Sequence, residues 1–265
     1  MQNEITLPQW LDDLIFKELK AQYSPRRCTM TNIDDNIEES LNYLGTYFPR
    51  SYAEAYCIFS IYFQQHDSEF ANQDELSIFD FCCGTGGEII GLLMVLEERF
   101  PTLKKVRIVA LDGNQHALLL YEKVLSVFQQ KTRIQIENRP THLHINFFKL
   151  EMLNTIMTEQ FDIVVSCKAI GEFVTKQQFE DKNPYGHIAK FLFPKLKNNG
   201  LLLLADITNK NDVSQQWLPN MMDKGLTEAH CAATYKNEGY NQIYYITHSH
   251  QKNDGRPVAW RIIKR

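Results

Sequence analysis

One short stretch of this chain combines a carboxylate, a sharp turn and free backbone donors: Phe79-Asp80-Phe81-Cys82-Cys83-Gly84-Thr85-Gly86-Gly87-Glu88. It lies where an apolar run of strand character gives way to a helical pattern. Gly84, Gly86 and Gly87 let the backbone approach a ligand closely, and the helix N-terminus beyond them supplies unpaired amide donors. A glycine-rich turn after a strand also serves phosphate and dinucleotide sites, or no ligand at all. Asp80 narrows the choice, because its carboxylate repels a pyrophosphate and welcomes an ammonium. The Gly-Lys-Ser/Thr ending of a nucleotide-hydrolase loop is missing. About 25 residues past the turn the next strand ends in Leu111-Asp112-Gly113, where an acidic side chain can accept both hydroxyls of a ribose. Asp112 therefore fits an adenosine ligand.

Further candidates follow along the chain. Phe148-Lys149-Leu150-Glu151-Met152 places Glu151 either beside a ligand or as a solvated carboxylate at a helix start, favoured by the helix dipole. Phe161-Asp162-Ile163-Val164-Val165-Ser166-Cys167 reads as a strand ending in Lys168-Ala169-Ile170-Gly171-Glu172-Phe173, at the carboxyl edge where open sheets bind ligands. There Lys168 can hydrogen-bond an acceptor or meet a phosphate, and Glu172 can take a proton if burial raises its pKa. Alternatively the two pair with each other at helical spacing. The pairs His142/His144 and His248/His250 each project to one face of a strand, but spacing brings no further ligands that a metal needs, so no metal is expected. The six cysteines form no CxxC pair, which argues against a zinc site or a disulfide framework.

The elements that must position these residues are read from periodicity. Residues 8–22 carry Trp10, Leu11, Leu14, Ile15 and Leu19 at helical spacing, and Ile37, Leu41 and Leu44 predict a second helix. A third starts near Pro49, where Tyr52, Tyr56, Phe59 and Phe63 form an aromatic stripe that reads as core before it reads as a pocket wall. From Leu76 the texture changes to strand, helix, strand, helix, which implies a parallel sheet with right-handed crossovers. Further strands are expected at THLHINFF, FDIVVSC and GLLLLADI. The closing run NQIYYITHSHQKNDGRPVAWRIIKR predicts a hairpin around Asn-Asp-Gly. The division expected is a helical segment over 1–70, acting as a substrate cap over the carboxyl edge of the sheet, and an α/β domain over 71–265.

Asp80 with the glycine turn, and Asp112 after it, resemble motifs I and II of the class I, Rossmann-like S-adenosylmethionine-dependent methyltransferases. The resemblance spans roughly Leu76 to Ile207. Cys82 stands where the family has the first glycine of xGxGxG, a departure that removes no backbone donor. The resemblance implies a doubly wound, mostly parallel seven-stranded sheet with an antiparallel C-terminal hairpin, and S-adenosylmethionine as cofactor. Carried over by position, Asp80 or a water it holds faces the methionine ammonium, while Gly84 and Gly86 underlie methionine and ribose, within a loop completed by Cys82, Cys83 and Thr85. Asp112 binds the ribose, Gly113 and Asn114 lie beside the adenine, Glu151 and Met152 lie near adenine N6, and Ser166 joins the cofactor-binding set. Lys168 and Glu172 occupy the place where donor and acceptor meet. The Asn/Asp-Pro-Pro-Tyr/Phe string of amino-directed nucleic-acid enzymes is missing, and Cys167 lacks the proline that follows a pyrimidine nucleophile. Phe48-Pro49-Arg50-Ser51-Tyr52-Ala53 ahead of the sheet is similar to ribosomal small-subunit methyltransferase-like proteins, without their cluster-binding cysteines.

Composition sets the outer bounds. The chain has 265 residues and a formal charge of −4, so no overall field attracts nucleic acid. Arg26, Arg27, Arg50 and Lys168 are the local candidates for phosphates, and the acceptor is left as a small molecule or RNA. No signal peptide and no apolar run of about 18 residues is seen, so a cytoplasmic protein without a membrane partner is expected. The competing readings are a cofactor-binding scaffold or ribosome-assembly-type factor without transfer activity, and an NAD-dependent oxidoreductase on the same topology.

Overall fold

The computed structural model describes residues 3–25, 36–66, 68 and 70–265, without the side chains of Glu172, Phe173 and Lys176. Strand β1 (Glu4–Thr6) leads into helix α1 (Gln9–Asp12), which widens into a π-helical stretch over Asp13–Glu18. The helix expected over 8–22 thus stops early, and Lys20 just past its end adopts the left-handed backbone, φ 57°, which no α-helix can contain. Helix α2 (Ile37–Thr46) is capped by Asn36, whose Oδ1 accepts the Glu39 amide at 2.8 Å. Helix α3 (Phe48–Gln65) follows, with Pro49 in its first turn.

The sheet region runs β2 (Glu75–Phe81), α4 (Gly87–Arg99), β3 (Lys105–Asp112), α5 (Gln115–Gln129), β4 (Gln135–His142), β5 (Phe161–Cys167), α6 (Ile170–Phe173), α7 (Lys176–Asp181), α8 (Pro184–Leu192), β6 (Leu196–Ile207), α9 (Leu218–Glu228), β7 (Tyr235–Lys236), β8 (Tyr245–His248), β9 (Gln251–Asp254) and β10 (Val258–Lys264). Among the described residues these strands form one seven-stranded sheet in the order β4-β3-β2-β5-β6-β10-β7, and a small one, β1-β8-β9. Strands β2 to β6 are mutually parallel, while β10 runs antiparallel to both β6 and β7. This is the doubly wound α/β fold expected, with an antiparallel closure.

Two details of that closure and of the edge differ from expectation. The antiparallel pair in the main sheet is β7 with β10, whereas the run around Thr247 turns at Ser249-His250 into β9 and joins β1 instead. Asn253 and Asp254 therefore lie in a strand rather than in the hairpin turn. Strand β4 is Gln135–His142, about a turn upstream of THLHINFF; its polar alternation and Pro140 suit an edge strand, where one side needs no ladder donor.

Helices α3, α4 and α5 cover one face of the sheet and α8 and α9 the other, each face closing its own apolar cluster. Tyr52, Phe59 and Phe63 are buried among Ile89, Leu93 and Ile108, so the aromatic stripe is core. Helix α3 descends the length of α4. At its start, Gly87 and Gly91 allow backbone contact: a Cβ on Gly91 would come within 2.5 Å of the Tyr52 carbonyl oxygen. At its end, Phe63 meets Phe70 and Phe100 edge-on, with centroids 5.8 and 5.0 Å away. Such pairs add about 0.5–1.5 kcal/mol each beyond burial. No helix of the described residues is long and apolar enough to cross a membrane.

Candidate active site

The carboxyl ends of β2 and β3 hold the two carboxylates. Asp80 is one residue from the end of β2, in register with Ala110 and Val165, and its side chain is fully buried on the α4 face. Neither of its carboxylate oxygens has a hydrogen-bond partner among the described residues. Burial first, then the charges of Glu88 and Asp112, push its pKa well above the usual carboxylate range.

The turn beyond it is built from left-handed residues: Cys82 at φ 61°, Gly84 at φ 50° and Gly86 at φ 81°. Gly86 also needs its missing side chain, because a Cβ there would overlap the Tyr121 ring. The turn is anchored on β3. The Cys83 amide donates to the Leu111 carbonyl at 2.9 Å, and the Gly84 amide donates to Asp112 Oδ2 at 2.7 Å. Asp112 Oδ1 accepts the Asn114 amide at 2.7 Å. Burial pushes the half-buried Asp112 carboxyl up in pKa, against the pull of those amides. Asn114 is buried and caps α5 through the Ala117 amide at 2.9 Å. Asp80, the Cys82–Gly87 loop, Asp112, Gly113 and Asn114 thus form one locus.

Helix α2 covers that locus. A Cβ on Gly84 would lie 3.1 Å from Tyr43 Cε1, so the Tyr43 ring rests on the turn, and Ser40 Oγ donates to Asn114 Oδ1 at 3.4 Å. Helix α3 contributes Glu54, which is buried and pairs with Lys168 at 2.7 Å. Lys168 follows β5 in a left-handed backbone, φ 57°, with its amide donating to the Ala205 carbonyl at 2.7 Å. Burial works against its ammonium, but the Glu54 carboxylate outweighs that and holds its pKa above the ordinary value. The pairing with Glu172 expected as an alternative falls on a side chain outside the described residues. Glu88, in the first turn of α4, is buried between these groups, and burial pushes its pKa up to about 8.

Other expected residues are dispersed. Ser166 lies on the opposite sheet face from Asp80, with its Oγ buried and unpartnered. Glu151 is exposed on the short helical turn Leu150–Thr155, and Met152 packs against the α8 side of the core. His142 Nε2 reaches the Gly113 carbonyl at 2.9 Å, and His144 is its ring neighbour. Arg50 cannot meet a phosphate, because it is buried and doubly bonded to Asp254, Nε to Oδ2 at 2.8 Å and Nη2 to Oδ1 at 2.7 Å. Arg26 and Arg27 lie outside the described residues. Sequence reasoning missed Glu54, Glu88 and Tyr43. It also missed Asp206, which lies one residue before the end of β6 on the other face, accepts the Tyr185 hydroxyl at 3.0 Å and is pushed up to about 6 by burial. A glutamate inside an aromatic helix, as at Glu54, was the one visible signal.

No family model matches the chain, and no curated protein does. Solved structures do resemble it in chain path. A methyltransferase from Methanosarcina mazei, described as S-adenosylmethionine-dependent, is 14% identical with a TM-score of 0.45, over 74% of this chain and 94% of that one. The cyclopropane synthase MmaA2 of Mycobacterium tuberculosis is 14% identical with a TM-score of 0.44, over 89% of this chain and 75% of that one. The magnesium protoporphyrin IX methyltransferase of Synechocystis, solved with bound S-adenosylmethionine, is 9% identical with a TM-score of 0.48, over 96% of this chain and 90% of that one. Each of these likenesses is distant, in sequence and in chain path.

Proposed function

We propose that this protein is an S-adenosylmethionine-dependent methyltransferase acting on a small molecule or RNA. The observation that carries the reading is the pair of carboxylates on adjacent parallel strands: Asp80, buried with no partner among the described residues, and Asp112, clasping the bent glycyl backbone between them. A buried unpaired carboxyl costs several kcal/mol and calls for a compensating group, which a ligand ammonium supplies. A dinucleotide would instead bring pyrophosphate against Asp80, and the antiparallel β10 departs from the parallel order of dinucleotide folds.

In this reading Asp80 faces the amino group, the Gly84–Gly86 backbone underlies the amino acid and ribose, and Asp112 takes the ribose hydroxyls through its remaining lone pairs. Gly113, His142 and His144 border the base. When bound, the sulfonium supplies an activated methyl and a neutral thioether leaving group. The protein's part is to align the acceptor and exclude water. Lys168, held ionised by Glu54, orients the acceptor, and α2 with the start of α3 forms the cap over the site.

Calorimetry with S-adenosylhomocysteine tests the binding site: micromolar affinity is expected, lost by about a hundredfold or more in Asp80→Ala/Asp112→Ala. Turnover of S-adenosylmethionine with candidate acceptors then separates an enzyme from a binding scaffold. No affinity for either nucleoside would sink the proposal.

A further inference from the structure

We infer that Glu88 is the second carboxylate of an ammonium subsite built with Asp80, and that it makes the site select a nucleoside bearing an α-amino acid over one without it. This rests on the cofactor reading above and adds a residue to it.

The buried group at the turn is short of positive charge. Asp80 is fully buried with both oxygens unpartnered. Glu88 follows the turn by two residues, also buried, with its own amide donating to its carboxylate. Among the described residues, the charged and titratable groups that face these two are Asp112 from β3, Glu54 from α3, Lys168 beyond β5, and the Cys83, Cys167 and Tyr121 side chains. Lys168 is the cation of that set, and it is 2.7 Å from Glu54. The thiols and the phenol are pushed well up by burial and stay neutral. Two carboxyls therefore await one cation. A metal ion does not fit, since no group of three or more ligating side chains converges among the described residues.

A monocation entering beneath the turn favours the ionised form of both carboxyls. Without it Glu88, pushed up to about 8 by burial, holds its proton at neutral pH, and burial shifts Asp80 in the same direction. Uptake of the ligand therefore releases a proton, and affinity weakens as the medium becomes more acidic. A nucleoside without the α-amino acid triggers neither effect.

The test is calorimetry of the full chain with S-adenosylhomocysteine and with 5′-methylthioadenosine, in two buffers of different ionisation enthalpy, from about pH 6 to about pH 8. For the wild type, S-adenosylhomocysteine should release about one proton and lose up to about tenfold in affinity per unit of acidification, and methylthioadenosine should show neither. Glu88→Gln should weaken S-adenosylhomocysteine about tenfold and leave methylthioadenosine within about twofold. Equal proton release for the two nucleosides in the wild type refutes the subsite whether or not the variant folds. So does wild-type affinity for S-adenosylhomocysteine in Glu88→Gln, and either result leaves the cofactor reading standing. Failure of both nucleosides to bind the wild type overturns the cofactor reading itself, and this inference with it.

Discussion

Two buried ionic groups flank the same helix and behave in opposite ways. Arg50 and Glu54 lie four residues apart on α3, one turn from each other. Arg50 meets Asp254 of β9 through two hydrogen bonds, with His248 Nε2 at 3.7 Å. Burial works against the Asp254 carboxylate, yet His248 and Arg50 hold its pKa down to about 2. Glu54 instead belongs to the group of Asp80, Glu88 and Lys168, where burial pushes the Asp80 and Glu88 carboxyls up. Burial is common to both, so compensation decides the outcome. In the first group the Asp254 carboxylate meets its cation within the chain, and the pair ties the N-terminal helices to the small sheet. The second is incomplete among the described residues, which is the gap the proposed ligand ammonium fills.

Removing one member of each group tests that division most strongly. Arg50→Ala leaves Asp254 buried without its main partner and should cost about 3–5 kcal/mol in urea denaturation. Asp80→Asn removes a carboxyl nothing compensates, and should be neutral or stabilising by about 1–2 kcal/mol. Equal destabilisation by the two would erase the contrast.

The pH dependence of stability sharpens it. Asp254 has a lowered folded-state pKa, so its contribution of roughly 2 kcal/mol is present above about pH 4 and is lost as the pH falls toward 2. Glu88 has a raised one, so its contribution is full below about pH 4.5 and is lost as the pH rises toward 8. Denaturation midpoints should therefore drop at both ends in the wild type. Glu88→Gln should flatten the alkaline side alone, and Arg50→Ala the acid side.

A smaller effect separates the turn from the charges it carries. Gly86→Ala keeps every ionisable group but forces a Cβ into Tyr121 from a left-handed backbone. The expected cost is about 1–3 kcal/mol by denaturation. Nucleoside affinity should fall with it, through displacement of the turn.

Much of this was legible along the chain. Runs such as Phe161–Cys167 are mostly apolar, as a central parallel strand buried on both faces requires, and Asp80 and Asp112 stand at strand ends before glycines. The edges were harder. Gln135–His142 is polar and carries a proline, so its strand character comes from pairing with β3 rather than from its own residues. The Asn-Asp-Gly signal near Asp254 was overridden because β9 gains a ladder with β8 and Asp254 gains Arg50, two long-range terms that outweigh turn propensity.

What the sequence alone determined is the local geometry: which segments alternate as strands, where glycine permits a left-handed turn, and which carboxylates sit at the strand ends. These depend on residues within one helical turn or a few pleats of each other. Tertiary structure alone decided that Lys168 pairs with Glu54 across 114 positions. It also decided that Arg50 is consumed by Asp254 and that Glu88 shares Asp80's buried space. The reason is electrostatic: a charge taken out of water is governed by whatever lies within a few ångströms, and chain separation says nothing about that distance.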